Sequence, residues 1–477
     1  MLHTETAKKP MQKPFFITTP IYYVNGLPHI GHAYTTVAAD VIARSKRLAG
    51  EEVFFSTGTD EHGMKIAQKA EELGKDTKVF VDEIAGSFKD LWQKLDISYD
   101  CFIRTTEPGH ILAVQKVLAD FHERNIIYKG EYEGLYCTGC EQFKNENDLV
   151  DGKCPEHGIE PIFTQEESYL LKMTVLQEEL IQKIESDELK VTPEQYKTEI
   201  LSFLKGEKLE DVSISRKNVR WGITLPFDET HTTYVWVDAF LNYLTACGWD
   251  GNRENMPAAW PADVQLIGKD ILRVHATIWP IMLLHLGTQV QKSLLVNGFI
   301  LSGGRKMSKT LGNVIAVDEM LEKFGADGTR YILMNAGPYG SDVDLTMERM
   351  TETYNADLAN GLGNLVSRVM KLSESLPELP TASSDERGNV SCEEGSLYEI
   401  LNANMALVRE ANKYMDETKP WKLVTENKEA FQKTMNTLFS KLSKIALCLE
   451  PFMPQAAEKM KTALKTGKTQ SLFQRIT

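Results

Sequence analysis

Seven cysteines in 477 residues are too few for a disulfide framework, and an odd number leaves at least one thiol unpaired. A reducing compartment is therefore expected. Long apolar runs are missing as well. The longest, around Ala276 to Gly287, contains Pro280 and His285 and is too short to cross a bilayer, so no membrane anchor is expected. The first fourteen residues combine Lys and Glu with two prolines and have no apolar core; they read as a mobile tail, not a secretory signal. The cytoplasm is the expected location, with an organelle matrix as the alternative if that tail is a targeting remnant. Positive charge is in deficit: 53 Lys and Arg against 67 Asp and Glu give a formal net charge of -14, which taken alone disfavours a polyanionic partner. The deficit is not uniform. Residues 401–477 hold thirteen Lys and Arg against seven Asp and Glu, so the C-terminal end is locally basic.

The length accommodates roughly three domains, each able to bury a core. Phe15 to Tyr23 (FFITTPIYY) is β-branched and aromatic, as a buried strand is, and it runs into the breaker-rich VNGLPHIGH. Over residues 31–49, Ala33, Val37, Ala38, Val41, Ile42 and Leu48 recur at near-helical spacing, and Gly50 supplies the stop. Glu52 to Thr57 reads as a second strand, which completes a βαβ unit and implies a parallel, doubly wound sheet. Residues 118–228 carry all three grouped cysteines and do not continue this rhythm, so they read as an insertion. Then TTYVWVDAF, VQLIGKDI and SLLVNGFIL resume it. Beyond residue 351 helical patterns take over, interrupted by SESLPELPTASSDERGNVSCEEGS, and a helix bundle is expected. The predicted division is a tail over 1–14, the first half of the sheet domain over 15–117, the insertion over 118–228, the second half over 229–300, a lysine-loop segment over 301–350 and the bundle over 351–477.

Three motifs carry chemistry. His29-Ile30-Gly31-His32 sits where the first strand hands over to the first helix. The helix macrodipole and unsatisfied N–H groups there favour an anion, and Gly31 allows close approach to the backbone. Two imidazoles one turn apart can donate to phosphate oxygens as charge builds in a transition state. Lys306-Met307-Ser308-Lys309-Thr310 follows Gly303-Gly304 at the end of a strand, so its two lysines can swing over a triphosphate and neutralise a departing pyrophosphate. Each motif alone is matched as well by something plainer, a capped helix in one case and a solvated basic loop in the other. Both in this order, each at a strand end of one split sheet, are hard to obtain by chance. The third motif is Cys137-x2-Cys140 followed by Cys154-x2-His157, four ligands suited to a tetrahedral structural Zn2+ with no open position for catalysis. Cys101, Cys247, Cys392 and Cys448 show no such grouping and read as small buried hydrophobes.

The first two motifs resemble the HIGH and KMSKS signatures of class I aminoacyl-tRNA synthetases. The insertion, at roughly a hundred residues, is too short for the large editing domain of the leucine, isoleucine and valine enzymes. The chain resembles the methionyl-tRNA synthetases over roughly residues 14 to 460, in TPIYYVNGLPHIGH, FSTGTDEHG, YCTGC…CPEHG, RWGITLP, TYVWVDAFLNYL, LIGKDILRVHATIWP, NGFILSGGRKMSKTLGN and the late PW. It departs from the pattern at Thr310, where Ser is usual, and at Thr224, where Pro is usual.

The resemblance implies a Rossmann-type catalytic domain split by a zinc-bearing connective insertion, a stem-contact segment after the lysine loop and an all-α anticodon-binding bundle. It implies one structural Zn2+ on Cys137, Cys140, Cys154 and His157, and Mg2+ with ATP. His29, His32, Lys306 and Lys309 become the catalytic groups. The ATP site gathers His29, Gly31, His32, Gly268, Asp270, Lys306, Met307, Ser308 and Lys309. Asp60 takes the α-ammonium of methionine, and Ile21, Tyr23, Trp236, Ala239, Tyr243 and His275 line an apolar slot with the Tyr243 hydroxyl near the sulfur. Trp236, Ala239 and Tyr243 share one face if that segment is helical. Asn364, Arg368 and Trp421 take the anticodon, although without the resemblance Trp421 reads as bundle core. L-methionine, ATP and tRNA(Met) are the expected partners, and without the C-terminal domain of many relatives a monomer is the expected state.

The expected reaction is two-step aminoacylation. The carboxylate of methionine is ionised at neutral pH and needs no general base, so catalysis rests on positioning and charge stabilisation. Two alternatives remain at this point. The cysteine enzyme of the same class requires zinc in the amino-acid pocket, whereas the ligand cluster here falls inside the insertion. A catalytically idle tRNA-binding or zinc scaffold is disfavoured by the intact histidine and lysine motifs.

Overall fold

The computed structural model describes residues 13–137, 142–144, 146, 149–155, 158–217, 219–307, 313–380, 395–468 and 471–477. Most of the expected N-terminal tail, together with Cys140, His157, Ser308, Lys309, Thr310 and Cys392, lies outside them.

The expected βαβ opening is present: strand β1 (Phe15–Tyr23), helix α1 (Ile30–Leu48) and strand β2 (Val53–Asp60). Pro20 lacks the N–H that a ladder needs, and the register of β1 against β2 shifts between Thr18 and Ile21 to accommodate it. α1 ends through Gly50 at φ +87°, with Lys46 and Arg47 in its last turn facing the negative end of the helix. Strand β3 (Cys101–Arg104) lies on the far side of β2, so close that a Cβ on Gly58 would stand 2.0 Å from the Ile103 carbonyl oxygen.

The insertion contributes β4 (Ile127–Cys137), β5 (Gln142–Lys144) and β6 (Ile162–Leu171), which pair antiparallel. β7 (Lys190–Thr192) departs from the expected division. It lies within 118–228 yet joins the main sheet, parallel to a later strand. After it, β8 (Val212–Ser213) extends the insertion sheet, while β9 (Ser215–Arg216), β10 (Thr224–Leu225) and β11 (Asp228–Thr233) form a small sheet of their own. β12 (Val264–Gly268) and β13 (Ser293–Asn297) return to the main sheet, and β14 (Ile300–Ser302), β15 (Arg305–Lys306) and β16 (Val343–Asp344) form a separate three-stranded sheet at the lysine segment.

The main sheet therefore reads β3-β2-β1-β12-β13-β7, parallel throughout. The order reverses between β1 and β12, and in such sheets the crevice outside the carboxyl ends at that point receives the ligand. Because successive strand residues point to opposite faces, Ile17, Leu266 and Leu295 pack into one core with α1, while Phe16, Ile267 and Leu294 pack into another with helices Pro108–Glu123 and Ile278–Leu286.

As expected, strands cease before residue 351 among the described residues, and helices Asn364–Ser373, Leu397–Thr418, Pro420–Glu426, Lys428–Leu449 and Pro454–Thr466 follow. Not expected was the ten-residue π-helix Tyr354–Gly363 that leads into them. The bundle shares the core that contains α1. Fully buried Arg330 fastens the two: it donates to Asp40 of α1 at 2.7 Å and to the carbonyls of Leu95, Pro451 and Phe452 at 3.2, 2.8 and 2.9 Å. Burial alone would raise the Asp40 pKa; the guanidinium groups of Arg330 and Arg44 and hydrogen bonds from Ser98 more than offset it and hold the carboxyl below its ordinary range.

Candidate active site

The histidine motif is itself the start of α1. His29 is the N-cap: its Nδ1 accepts from the Gly31 N–H at 3.1 Å, and the His29 N–H donates to His32 Nδ1 at 3.2 Å, a reciprocal capping box made by two imidazoles. The rings stack with centroids 3.7 Å apart. Since both Nδ1 atoms accept, each neutral ring carries its proton on Nε2. Burial, and then the neighbouring His29, push the His32 pKa well below its ordinary value, so this ring donates as a neutral imidazole at pH 7. Gly31 is needed for a reason the sequence does not show. A Cβ there would stand 3.1 Å from the His29 ring and disturb the stack.

Gly268 ends β12 on the opposite side of the strand-order reversal. Its own Cβ would fall 2.4 Å from a carboxylate oxygen of Asp270, so the exposed Asp270 folds back over the glycine. Between them Lys269 forms an ion pair with Asp342 at 2.6 Å and lies over the Phe299 ring at 4.3 Å. The ammonium of Lys306, in exposed β15, sits over the same ring at 4.5 Å. Met307 follows half-buried.

Asp60 is the last residue of β2 and lies opposite Tyr23 in the ladder; Ile21 pairs with Gly58 two residues earlier. The residues after Asp60 are tied backward. Glu61 receives Arg104 Nε and Nη2 at 2.6 and 2.9 Å and the hydroxyls of Thr59 and Thr106, and its carbonyl accepts from Trp221 Nε1 at 2.6 Å. Asp60 is thus delivered buried at the carboxyl edge of the sheet.

The slot residues come from two short helices, Val235–Phe240 and Asn242–Thr245, separated only by helical Leu241, so Trp236, Ala239 and Tyr243 keep the common face expected of them. His275 meets this face: its ring centroid lies 6.1 Å from Trp236 and 6.0 Å from Tyr243. Its Nδ1 pairs with the Ile271 carbonyl at 2.9 Å and must donate there, so Nε2 accepts from the Tyr243 hydroxyl at 2.9 Å. Burial lowers the His275 pKa to about 4, keeping it neutral. Trp236 Nε1 is buried with no hydrogen-bond partner among the described residues.

Two of the expected zinc ligands are described. Cys137 closes β4, and Cys154 opens a tight turn in which the Gly158 N–H donates to the Cys154 carbonyl at 2.7 Å. Both are fully buried and neither is in a disulfide. Two buried sulfurs, one at the end of β4 and one at the start of a turn, each followed in sequence by its Cys140 or His157 partner, suit a soft tetrahedral cation. In the bundle, Trp421 is 43% exposed, so it is a surface ring and not core; the Arg368 guanidinium lies 5.3 Å from its centroid and bonds Asp416 at 3.0 Å. Exposed Asn364 stands one turn before Arg368 on the same helix.

Sequence reading missed a buried cluster behind the slot. Asp238 accepts from His62 Nδ1 at 2.6 Å and from His110 Nε2 at 2.8 Å, and His110 Nδ1 meets the Thr245 hydroxyl at 2.8 Å. These partners are far apart in sequence, and no spacing rule joins them.

The family profile of class I tRNA synthetases (M) matches residues 15–160 and 157–370, and that of the anticodon binding domain of methionyl tRNA ligase matches residues 401–474. A methionine–tRNA ligase of Clostridium perfringens is 44% identical over 96% of this chain and 74% of its own length, and one of Streptomyces coelicolor is 38% identical over 94% and 89%. Among solved structures, the Mycobacterium tuberculosis methionyl-tRNA synthetase in complex with methionyl-adenylate superposes with a TM-score of 0.87 at 34% identity, over 94% of this chain and 93% of that one. With both profiles matched in order and the sheet, crevice and bundle in place, the chain belongs to the methionyl-tRNA synthetases of class I, the methionine–tRNA ligases.

Proposed function

We propose that the crevice between β1 and β12 joins L-methionine to ATP and that the product is then passed to tRNA(Met). The single observation that carries this reading is the reciprocal cap of His29 and His32, which leaves each neutral ring with its proton on Nε2 at the start of a helix. In the first step a methionine carboxylate oxygen attacks the α-phosphorus and the bond to pyrophosphate breaks. The Nε2–H groups of His29 and His32 meet the phosphate oxygens, and Lys306 leaves the Phe299 ring to join Lys309 on the departing pyrophosphate. Mg2+, arriving with ATP, neutralises phosphate charge. Gly31 and Gly268 admit the nucleotide close to the backbone, Asp270 accepts from ribose hydroxyls, and Met307 and Ser308 belong to the closing loop. Asp60 pairs with the α-ammonium, while Ile21, Tyr23, Trp236, Ala239, Tyr243 and His275 enclose the thioether.

In the second step the terminal ribose hydroxyl of the tRNA attacks the carbonyl carbon and AMP leaves. Asn364, Arg368 and Trp421 read the anticodon; an exposed ring flanked by a guanidinium is a stacking platform for a splayed base. Cys137, Cys140, Cys154 and His157 hold one Zn2+, which ties the tip of the insertion together and takes no part in the reaction. The division into catalytic halves, insertion and bundle, a monomeric state and a cytoplasmic location complete the reading. Exchange of pyrophosphate into ATP, measured with each of the twenty amino acids in turn, tests it. Exchange with methionine alone is expected; exchange led by another amino acid, or none with any, overturns it.

A further inference from the structure

The Trp236–Ala239–Tyr243 face looks into the slot, and Asp238, two residues from Trp236, points away from it. That carboxylate is fully buried, and both of its oxygens are engaged: Oδ2 accepts from His62 Nδ1 at 2.6 Å and Oδ1 from His110 Nε2 at 2.8 Å. His62 is the second residue after Asp60. His110 belongs to helix Pro108–Glu123, and its other nitrogen meets Thr245 of the second slot helix at 2.8 Å. The short loop from Asp60 to Gly63 is held on its other flank by Trp221, whose Nε1–H donates to the Glu61 carbonyl at 2.6 Å and whose carbonyl accepts from the Gly63 N–H at 3.1 Å. One buried charge therefore joins the strand end that carries Asp60 to the two helices that carry the slot.

We infer that Asp238, acting through His62 and His110, is a positioning residue that sets the distance between Asp60 and the thioether slot and thereby selects the length of the amino-acid side chain. The inference rests on the reading that Asp60 binds the α-ammonium and the slot binds the thioether. An ionic anchor at one end and an apolar wall at the other measure length only if the span between them is rigid. A clamp of two charge-assisted hydrogen bonds at one carboxylate provides that rigidity. Asp238 touches no reacting atom; its effect falls on which amino acid fits.

The test is pyrophosphate exchange by Asp238→Asn with L-methionine, with L-homocysteine, one methyl shorter, and with L-ethionine, one methylene longer. An amide cannot accept from both rings, so the clamp opens on one side. The expected result is a KM for methionine raised about tenfold or more, with the preference for methionine over both analogues compressed by a similar factor and the KM for ATP within about twofold. The donor positions supply a second set of variants, decisive if Asp238→Asn fails to fold. His62→Asn places an amide N–H where Nδ1–H stands, and His110→Gln places one where Nε2–H stands; both should keep the preference. His62→Gln and His110→Asn misplace the donor and should lose it. A uniform loss across the three amino acids and ATP, or equal behaviour of matched and mismatched amides, overturns the inference. Absence of methionine-dependent exchange in the unaltered protein would instead overturn the functional reading beneath it.

Discussion

Two histidine pairs are held in opposite ways in this molecule. His29 and His32 stand three residues apart at the start of α1, accept from the backbone through Nδ1 and so carry their proton on Nε2. His62 and His110 converge on one buried carboxylate that is 176 and 128 residues away in the chain, and each commits a ring nitrogen to it. The imidazole is the same and so is its ordinary pKa. In the roles proposed for them, what separates the two pairs is where the proton is held. In the first pair the helix supplies a donor to each Nδ1 and thereby fixes the proton on the other nitrogen. In the second the proton is consumed inside the protein.

The largest effect expected from this contrast lies beside the first pair. Lys306→Ala removes a cation whose side-chain contact among the described residues is an aromatic face, so it should cost little stability but lower the rate of adenylate formation about a hundredfold or more, with methionine binding nearly unchanged. Equal losses in rate and binding would place Lys306 with the substrate and not with the transition state. His62→Ala should behave in the opposite sense. It strips one partner from a buried carboxylate, so the unfolding free energy should fall by about 1–3 kcal/mol in denaturant titrations. The adenylate rate at saturating methionine should drop less than tenfold. A rate loss as large as that of Lys306→Ala, with stability intact, would erase the distinction between the pairs.

A third histidine sharpens the comparison through pH. His275 is held neutral by burial, with its pKa at about 4 against an ordinary 6.5. Between those values the unfolded chain binds the proton and the folded one does not. The stability this group contributes is therefore complete above about pH 6.5 and is lost as pH falls toward 4, about 2 kcal/mol of it by pH 5. His275→Asn, whose amide can still donate to the Ile271 carbonyl, should flatten the fall in unfolding free energy between pH 7 and pH 5 by about that amount. An unchanged slope would mean that His275 is charged in the folded state.

The same contrast explains what the sequence revealed. The opening βαβ unit, the histidine cap, the lysine segment and the two described cysteines are all patterns within a few residues, where periodicity and spacing report directly on geometry. The family resemblance then placed Asp60, Trp236, Tyr243 and His275, and Trp236, Ala239 and Tyr243 do share a face. What stayed hidden was made by contacts across the chain: the Asp238 clamp, Arg330 bridging Asp40 to the carbonyl of Pro451, and the return of β7 to the main sheet from within the insertion. Three-residue β7 is too short to show a period, and Asp238 reads locally as an ordinary helix-start carboxylate. Trp421 shows the same limit: the helical pattern alone reads it as core, the family resemblance assigns it to the anticodon, and only the fold shows that its ring is exposed.

The most direct test of the central claim is single-turnover formation of methionyl-adenylate by His29→Asn at saturating methionine and ATP. Asparagine is a good N-cap, so its side-chain oxygen can still accept from the Gly31 N–H and hold the helix start, while the Nε2–H is gone. The account predicts a rate lower by about 10²–10³-fold, with the unfolding midpoint and the dissociation constant for methionine close to those of the unaltered protein. A rate within a few-fold of the unaltered protein would contradict it, because the capped imidazole would then serve the helix and not the reaction.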